Sequence, residues 1–195
     1  MTDVPSSATG QPLRRFATLC DDAFKGSLAR YGFSPVRGAA GRHKLLASRV
    51  YRVGELYVRV SASTHPRDIP PRCTLVVGEG SHGFPEADWN SVALWQLMAP
   101  PGAAQLAAEP YLLVHVGQLP SLFRRMRADL EESGSDFLSG DLGRFRAIRS
   151  ALAESRSPYT IWRPDQRGHY LPIDDPESAA LRIRYVSEAD QDATE

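Results

Sequence analysis

Cysteine is scarce in this sequence: Cys20 and Cys73 are the only two among 195 residues. Far apart in a chain of this length, they imply no disulfide framework and read as reduced thiols of a cytoplasmic protein. Long hydrophobic runs are missing as well. A membrane-spanning helix needs about 18–20 consecutive apolar residues, and the longest candidate, Tyr111 to Val116, is far shorter and contains His115. The opening MTDVPSSATGQP has no basic start followed by an apolar core, so it does not read as a signal peptide, and residues 1–11 read as a disordered leader. Signature motifs are lacking too. The sequence has no C-x-x-C, H-x-x-x-H or H-E-x-x-H for a metal. It has no G-x-x-x-x-G-K-[ST] phosphate loop, no G-x-S-x-G nucleophile elbow and no solenoid-type repeat. No cofactor is expected.

What is present is ordinary in amount and uneven in placement. With 42% hydrophobic and 24% charged residues the chain suits a single globular domain, one able to bury roughly 70% of the surface its unfolded form exposes. Net charge is zero, yet residues 1–72 hold 12 Arg and Lys against 5 Asp and Glu, while residues 73–195 hold 11 against 18. The two halves can pair on folding, or the charges can lie scattered on solvated faces. The sharper reading is a basic surface for an acidic protein partner. Nucleic acid is disfavoured, because its binders carry an overall basic excess that this chain lacks.

The spacing predicts a helix over residues 12–31, with Leu13, Phe16, Ala17, Cys20, Phe24, Leu28 and Tyr31 on its apolar side and Gly32 as its stop. LLASRVYRVGELYVRVSAS reads as a β-hairpin around Gly54-Glu55, a pair that suits a type II′ turn. That register sets Val53 against Leu56, Tyr51 against Val58 and Arg49 against Val60. One face then carries Tyr51, Val53, Leu56, Val58 and Val60; the other carries Val50, Arg52, Tyr57 and Arg59 and is half-polar. Residues 72–77 read as a third, antiparallel strand, and Asp88 to Met98 as a short helix capped by Asp88. Residues 103–117 fit either helix or strand, whereas Leu119–Ser133 and Asp141–Ser155 read as helices. The fold class is therefore α+β: an N-terminal helix packed on a small antiparallel sheet, with a mostly helical C-terminal half. The domain is expected to span 12–162, followed by a polar tail over 163–195 with one strand-like piece at 181–186.

VVGEGSHG, residues 76–83, spells G-x-G-x-x-G. A dinucleotide loop must open a helix inside a parallel βαβ unit and be followed by an acidic residue about 20 positions on. Here Phe84-Pro85 follows, the preceding strands form a hairpin, and Glu109 stands 26 residues beyond Gly83. The glycines read as a turn. His65, Cys73, His82, Glu86 and Asp88 lie within one short stretch and include a zinc-compatible set, His65, Cys73 and His82, although their spacing follows no signature. Equally, they read as loop histidines beside a core cysteine. Trp89, next to the glycine loop, is a candidate surface aromatic, and with Arg52, Tyr57 and Arg59 it makes a candidate protein-binding set.

Two phrases, LARYGFSPV (28–36) and DFLSGDLGRFRAIRSALAE (136–154), resemble segments of uncharacterised bacterial immunity-type α+β proteins. The resemblance covers about 30 residues, and its motifs are structural: Gly32 and Gly140 as helix stops, Asp141 as a cap. It implies a toxin- or protein-binding role and brings no active site. The expectation is thus a non-enzymatic protein-binding module, immunity-like or regulatory. The alternative is a small metal-dependent or hydrolytic enzyme using loop 79–88 with His65, in which His65, His82 and Asp88 converge in one pocket.

Overall fold

The computed structural model describes residues 8–37, 44–66, 71–80, 90–99, 111–155, 161–164 and 170–173. The N-terminal helical stretch begins at Phe16, later than its periodicity predicts, because Arg15 takes a left-handed conformation at φ 65° and Leu13 donates its backbone N–H to Lys44. It comprises α1 (Phe16–Cys20), a π-helical turn (Asp21–Lys25) and α2 (Gly26–Ala29). The π turn has a reason in the sequence. The buried residues Phe16, Cys20, Phe24 and Leu28 are spaced by four throughout. On a regular α-helix, at about 100° per residue, three such steps drift about 120° round the axis. A wider π turn in the middle returns them to one face. Gly32, at φ 83°, ends the stretch as predicted.

Five antiparallel strands form the main sheet in the order β1 (Ser34–Pro35), β2 (Leu46–Val53), β3 (Leu56–Ser63), β4 (Arg72–Glu79) and β5 (Ser91–Ala93). The hairpin has the predicted register, Tyr51 opposite Val58 and Arg49 opposite Val60. Gly54 sits at φ 53° while Glu55 does not take a positive φ, the signature of a type II′ turn. Tyr51, Val58, Val60, Ala62, Cys73, Leu75 and Val77 turn one face of the sheet into the core. Helix α4 (Leu119–Ser133) closes that core with Leu119, Phe123, Met126 and Leu130. The Phe123 ring meets Phe16 edge-on at 5.3 Å and Phe24 at 6.0 Å, so the N-terminal helix, the sheet and α4 share one interior. Two further helices, α5 (Ser135–Leu138) and α6 (Gly143–Ser155), lie on either side of a left-handed Gly140, and Asp141 Oδ1 accepts the Gly143 N–H at 3.0 Å. The architecture is α+β, as the residue pattern predicts. Among the described residues no helix is long and apolar enough to cross a membrane.

Three expectations differ from what is observed, and one open reading is decided. Part of the leader is docked: Ala8 is fully buried and donates its N–H to Val114, and Gln11 O accepts the Thr64 hydroxyl at 2.7 Å. Within the expected helix at 88–98, Ser91–Ala93 extends the sheet beside β4, and only Leu94–Met98 (α3) is helical. Gln96 caps α3, its Oε1 accepting the Ala93 N–H at 2.8 Å, and Asp88 lies outside the described residues. Of the ambiguous stretch, Tyr111 to Val114 is extended: Tyr111 and Leu113 are buried, Leu112 and Val114 exposed. Finally, Ile161–Pro164 (β6) and Tyr170–Ile173 (β7) pair as a separate two-stranded sheet across the expected start of the polar tail. The strand-like piece at 181–186 lies outside the described residues.

Candidate functional site

The end of β4 is where the sequence gathers its glycines, and the structure gives each described one a mechanical reason. Gly78 lies opposite Tyr57, and a Cβ there would collide with the Tyr57 ring. The absence of a side chain lets that ring lie over the strand, with its hydroxyl donating to Asn90 Oδ1 at 2.8 Å. Gly80 has φ 92°, a left-handed value that glycine adopts at little cost. Its N–H donates to Glu55 O at 2.8 Å, and its carbonyl accepts from Arg52 Nη2 at 2.9 Å. Arg52 Nε also donates to Gly54 O, so one guanidinium staples the hairpin tip to the turn after β4. Glu79, between the two glycines, accepts from Arg146 at 2.6 Å and lies 3.5 Å from Arg149, both on α6. The Arg146 hydrogen bond is the main reason the Glu79 carboxyl is held below its usual range. Packing, a turn and a helix-docking ion pair account for this segment without a phosphate.

The candidate binding face is corrected by burial. Tyr57 is 1% exposed and Arg59 8%. The register explains Arg59: it stands between Val50 on β2 and Val76 on β4, with Ala93 next in the same row. Directly opposed side chains lie about 4.5–5.5 Å apart, so the arginine stem is walled by apolar neighbours. Val50, Tyr57 and Val76 make a second small core on this side of the sheet. Arg52 is half-buried and held in the staple, so of this set neither Tyr57 nor Arg59 is displayed. Trp89, His82 and Asp88 lie outside the described residues. His65 follows β3, its backbone N–H on Ser63 Oγ at 3.2 Å. Cys73 is fully buried and turned into the core. A buried inward thiol is poorly placed to join a loop histidine around a metal. Among the described residues no group of three or more His, Cys, Asp or Glu could hold a metal ion.

A polar cluster that local pattern did not reveal sits on the π turn. Asp21 accepts both Nε and Nη2 of Arg49, at 2.9 and 2.7 Å, and the Tyr51 hydroxyl at 2.9 Å. Arg49 also donates to Val36 O at 3.2 Å and lies over the Tyr51 ring. Burial, followed by the nearby Cys20 and the bond to Asp21, pushes the Tyr51 phenol up; burial does the same to the Cys20 thiol, which is not a ready nucleophile. The geometry is that of a bidentate structural pair joining helix to sheet. Only the spacing-of-four stripe hints at it in the sequence, because that stripe calls for the π turn on which Asp21 stands. A comparable bridge joins Tyr111 to Asp129 Oδ2 at 2.8 Å, with Arg125 over the tyrosine ring.

One corner of the sheet is open. Leu46, Ser63, Arg72 and Leu112 stand in one cross-strand row, and Leu46, Leu112 and Val114 are 41, 50 and 57% exposed. Tyr111 O and the Leu113 N–H bond to the β4 side, through Cys73 and Pro71. Alternation therefore turns the Leu112 N–H and C=O outward along the edge. Among the described ion pairs, only Arg30–Glu131 joins the first 72 residues to the rest. No protein-family model, curated protein or solved structure matches this chain.

Proposed function

We propose that this chain is a non-enzymatic protein-binding module. The observation that supports it is the open corner: two large apolar side chains, Leu112 and Val114, displayed beside Arg72 where the sheet edge carries an outward-facing backbone, with exposed Leu46 further along the same cross-strand row. Exposed apolar residues bordered by a cation are the composition of an interface centre, and an edge that no further strand pairs among the described residues invites an added strand. The immunity-like or regulatory role implied by the two resembling phrases is consistent with such a surface, since it too acts by occupying another protein. The polar clusters described above are spoken for by internal contacts.

The test is affinity capture from the source lysate with the wild-type chain and with the double variant Leu112→Asp, Val114→Asp. Both positions are exposed, so the variant should fold as the wild type does, which circular dichroism checks. A protein retained at fixed stoichiometry by the wild type and lost by the variant supports the reading. Identical captures from both, or none from either, refute it.

A further inference from the structure

We propose that the backbone edge at Leu112 takes up an acidic, extended segment of the protein partner as an added antiparallel strand, in which apolar residues beside Leu112 alternate with carboxylates turned to Arg125 on α4. The inference rests on the protein-binding reading and names the shape and charge of what is bound. Arg72 and Leu112 face each other across an antiparallel bridge. The bonds on either side of it, Cys73 N–H to Tyr111 O at 2.9 Å and Leu113 N–H to Pro71 O at 2.8 Å, belong to the neighbours of Leu112. The Leu112 N–H and C=O therefore point away from β4, and neither is hydrogen-bonded among the described residues. The chain itself shows that this side accepts a backbone partner. Two residues on, Val114 O takes the Ala8 N–H at 2.8 Å. Leu112 is the adjacent outward position and stands open.

Alternation sets the two faces of the added strand. A residue directly opposite Leu112 shares its face, where Leu112 and Val114 are exposed, so an apolar side chain fits there. Its neighbours turn to the other face, the side of buried Tyr111 and of α4. There the exposed Arg125 lies over the Tyr111 ring, 5.6 Å from its centroid. The one carboxylate that approaches Arg125 among the described residues is Asp129, at 3.8 Å and beyond hydrogen-bond reach, because Asp129 Oδ2 accepts the Tyr111 hydroxyl at 2.8 Å. A carboxylate on the incoming strand meets the planar N–H donors that Asp129 leaves to solvent. Arg72, exposed beside Leu112, extends the same positive field. Charge also argues against a second copy as the occupant. A chain paired about its own Leu112 would bring a further Arg72 and Arg125, its Asp129 again engaged by Tyr111. The open edge is short, so side-chain charge supplies the selectivity that backbone pairing lacks.

The experiment titrates the full chain with a seven-residue peptide alternating Glu and Val, at low ionic strength, following the Leu112 backbone amide by NMR. Three further peptides replace Glu by Gln, N-methylate every Val amide, or N-methylate every Glu amide. In an antiparallel pair the residue opposite Leu112 exchanges both backbone bonds with it, so methylated Val amides block pairing and methylated Glu amides do not. The expected result is a saturable shift of the Leu112 resonance, lost about tenfold or more in affinity on Val methylation and retained on Glu methylation. The Gln peptide should bind about threefold or more weakly, and Arg125→Gln, an exposed position whose folding circular dichroism checks, should erase that difference. An unmoved Leu112 resonance, undiminished binding of the Val-methylated peptide, equal binding of the Glu and Gln peptides, or a difference that persists in Arg125→Gln would each overturn the proposal. So would a concentration-dependent dimer abolished by Leu112→Asp, which would assign the edge to a second copy. If the peptides fail while the Leu112/Val114 variant still loses a captured protein, the binding reading stands and only the acidic strand falls.

Discussion

Replacing Gly78 with alanine tests whether the glycine-rich turn exists for packing. The added methyl would fall inside the Tyr57 ring, well short of the ordinary carbon–carbon separation of about 3.5–4.0 Å. Tyr57 cannot simply swing away. It is 1% exposed, packed with Val50 and Val76, and tied by its hydroxyl to Asn90 at 2.8 Å. Overpacking of this kind costs about 1–3 kcal/mol, and dragging the hydroxyl off Asn90 adds about 1 kcal/mol. A total of about 2–4 kcal/mol, in a protein of this length, lowers Tm by roughly 4–16 °C. The assay is thermal and urea unfolding of Gly78→Ala, with the urea midpoint falling and the slope unchanged. Tyr57→Leu supplies the control. It loses burial and the hydroxyl by itself, but it makes room for the methyl, so the double variant should be more stable than the sum of the singles by about 1–3 kcal/mol. A Gly78→Ala protein as stable as wild type, or strict additivity with Tyr57→Leu, would show that the ring does not dictate the glycine.

Three further outcomes follow from the polar contacts. Asp21→Ala strips the acceptor from Arg49 and from the fully buried Tyr51 hydroxyl, and the side chains of the ion pair are only 17 and 29% exposed. The loss should be about 2 kcal/mol in chemical unfolding, between the values for surface and buried pairs, and a loss below about 0.5 kcal/mol would show the cluster to be ornamental. Tyr111→Phe keeps the ring under Arg125 and deletes the hydroxyl that donates to Asp129, so it should cost about 1–2 kcal/mol in the same assay; a neutral change would remove that bond from the account. Glu79 has a folded carboxyl pKa depressed chiefly by the Arg146 hydrogen bond. Its stabilising effect is therefore present above the ordinary glutamate range, about pH 4.3, and fades as pH falls through the lower folded value. The stability gap between wild type and Glu79→Gln, measured from pH 7 down to pH 3, should be steady at first and then shrink; a gap that stays constant refutes the pairing.

Much of the fold was legible because it is local. The hairpin register follows from a two-residue turn with glycine first and from alternation on either side, and α4 follows from the stripe Leu119, Phe123, Met126 and Leu130. The open and missed readings fall where a local signal is ambiguous or absent. Tyr111 to Val114 is apolar at all four positions, so alternation leaves no trace in residue type, although burial alternates strictly. Ser91–Ala93 carries helix-like spacing into α3, yet Val92 is drawn into the sheet opposite Val77. The bond from Arg49 to Asp21 crosses 28 positions, beyond any periodicity argument.

The arginine face shows the same limit most sharply. Period-two alternation assigns Val50, Arg52, Tyr57 and Arg59 to one side of the sheet, and they do share it. It does not say which residues flank them from strands not yet placed. Once β4 and β5 are in register, Arg59 lies in a row with Val50, Val76 and Ala93 and is buried, whereas Arg72 lies in a row with Leu46, Ser63 and Leu112 and is exposed. Arg59 lies mid-strand between Val58 and Val60 and Arg72 opens its strand after Pro70-Pro71, but this alone does not say which of them is anchored. The cross-strand row decides it, and that is a property of the whole sheet. A binding surface on this fold is therefore to be sought in rows that end in exposed residues, as at the Leu112 corner.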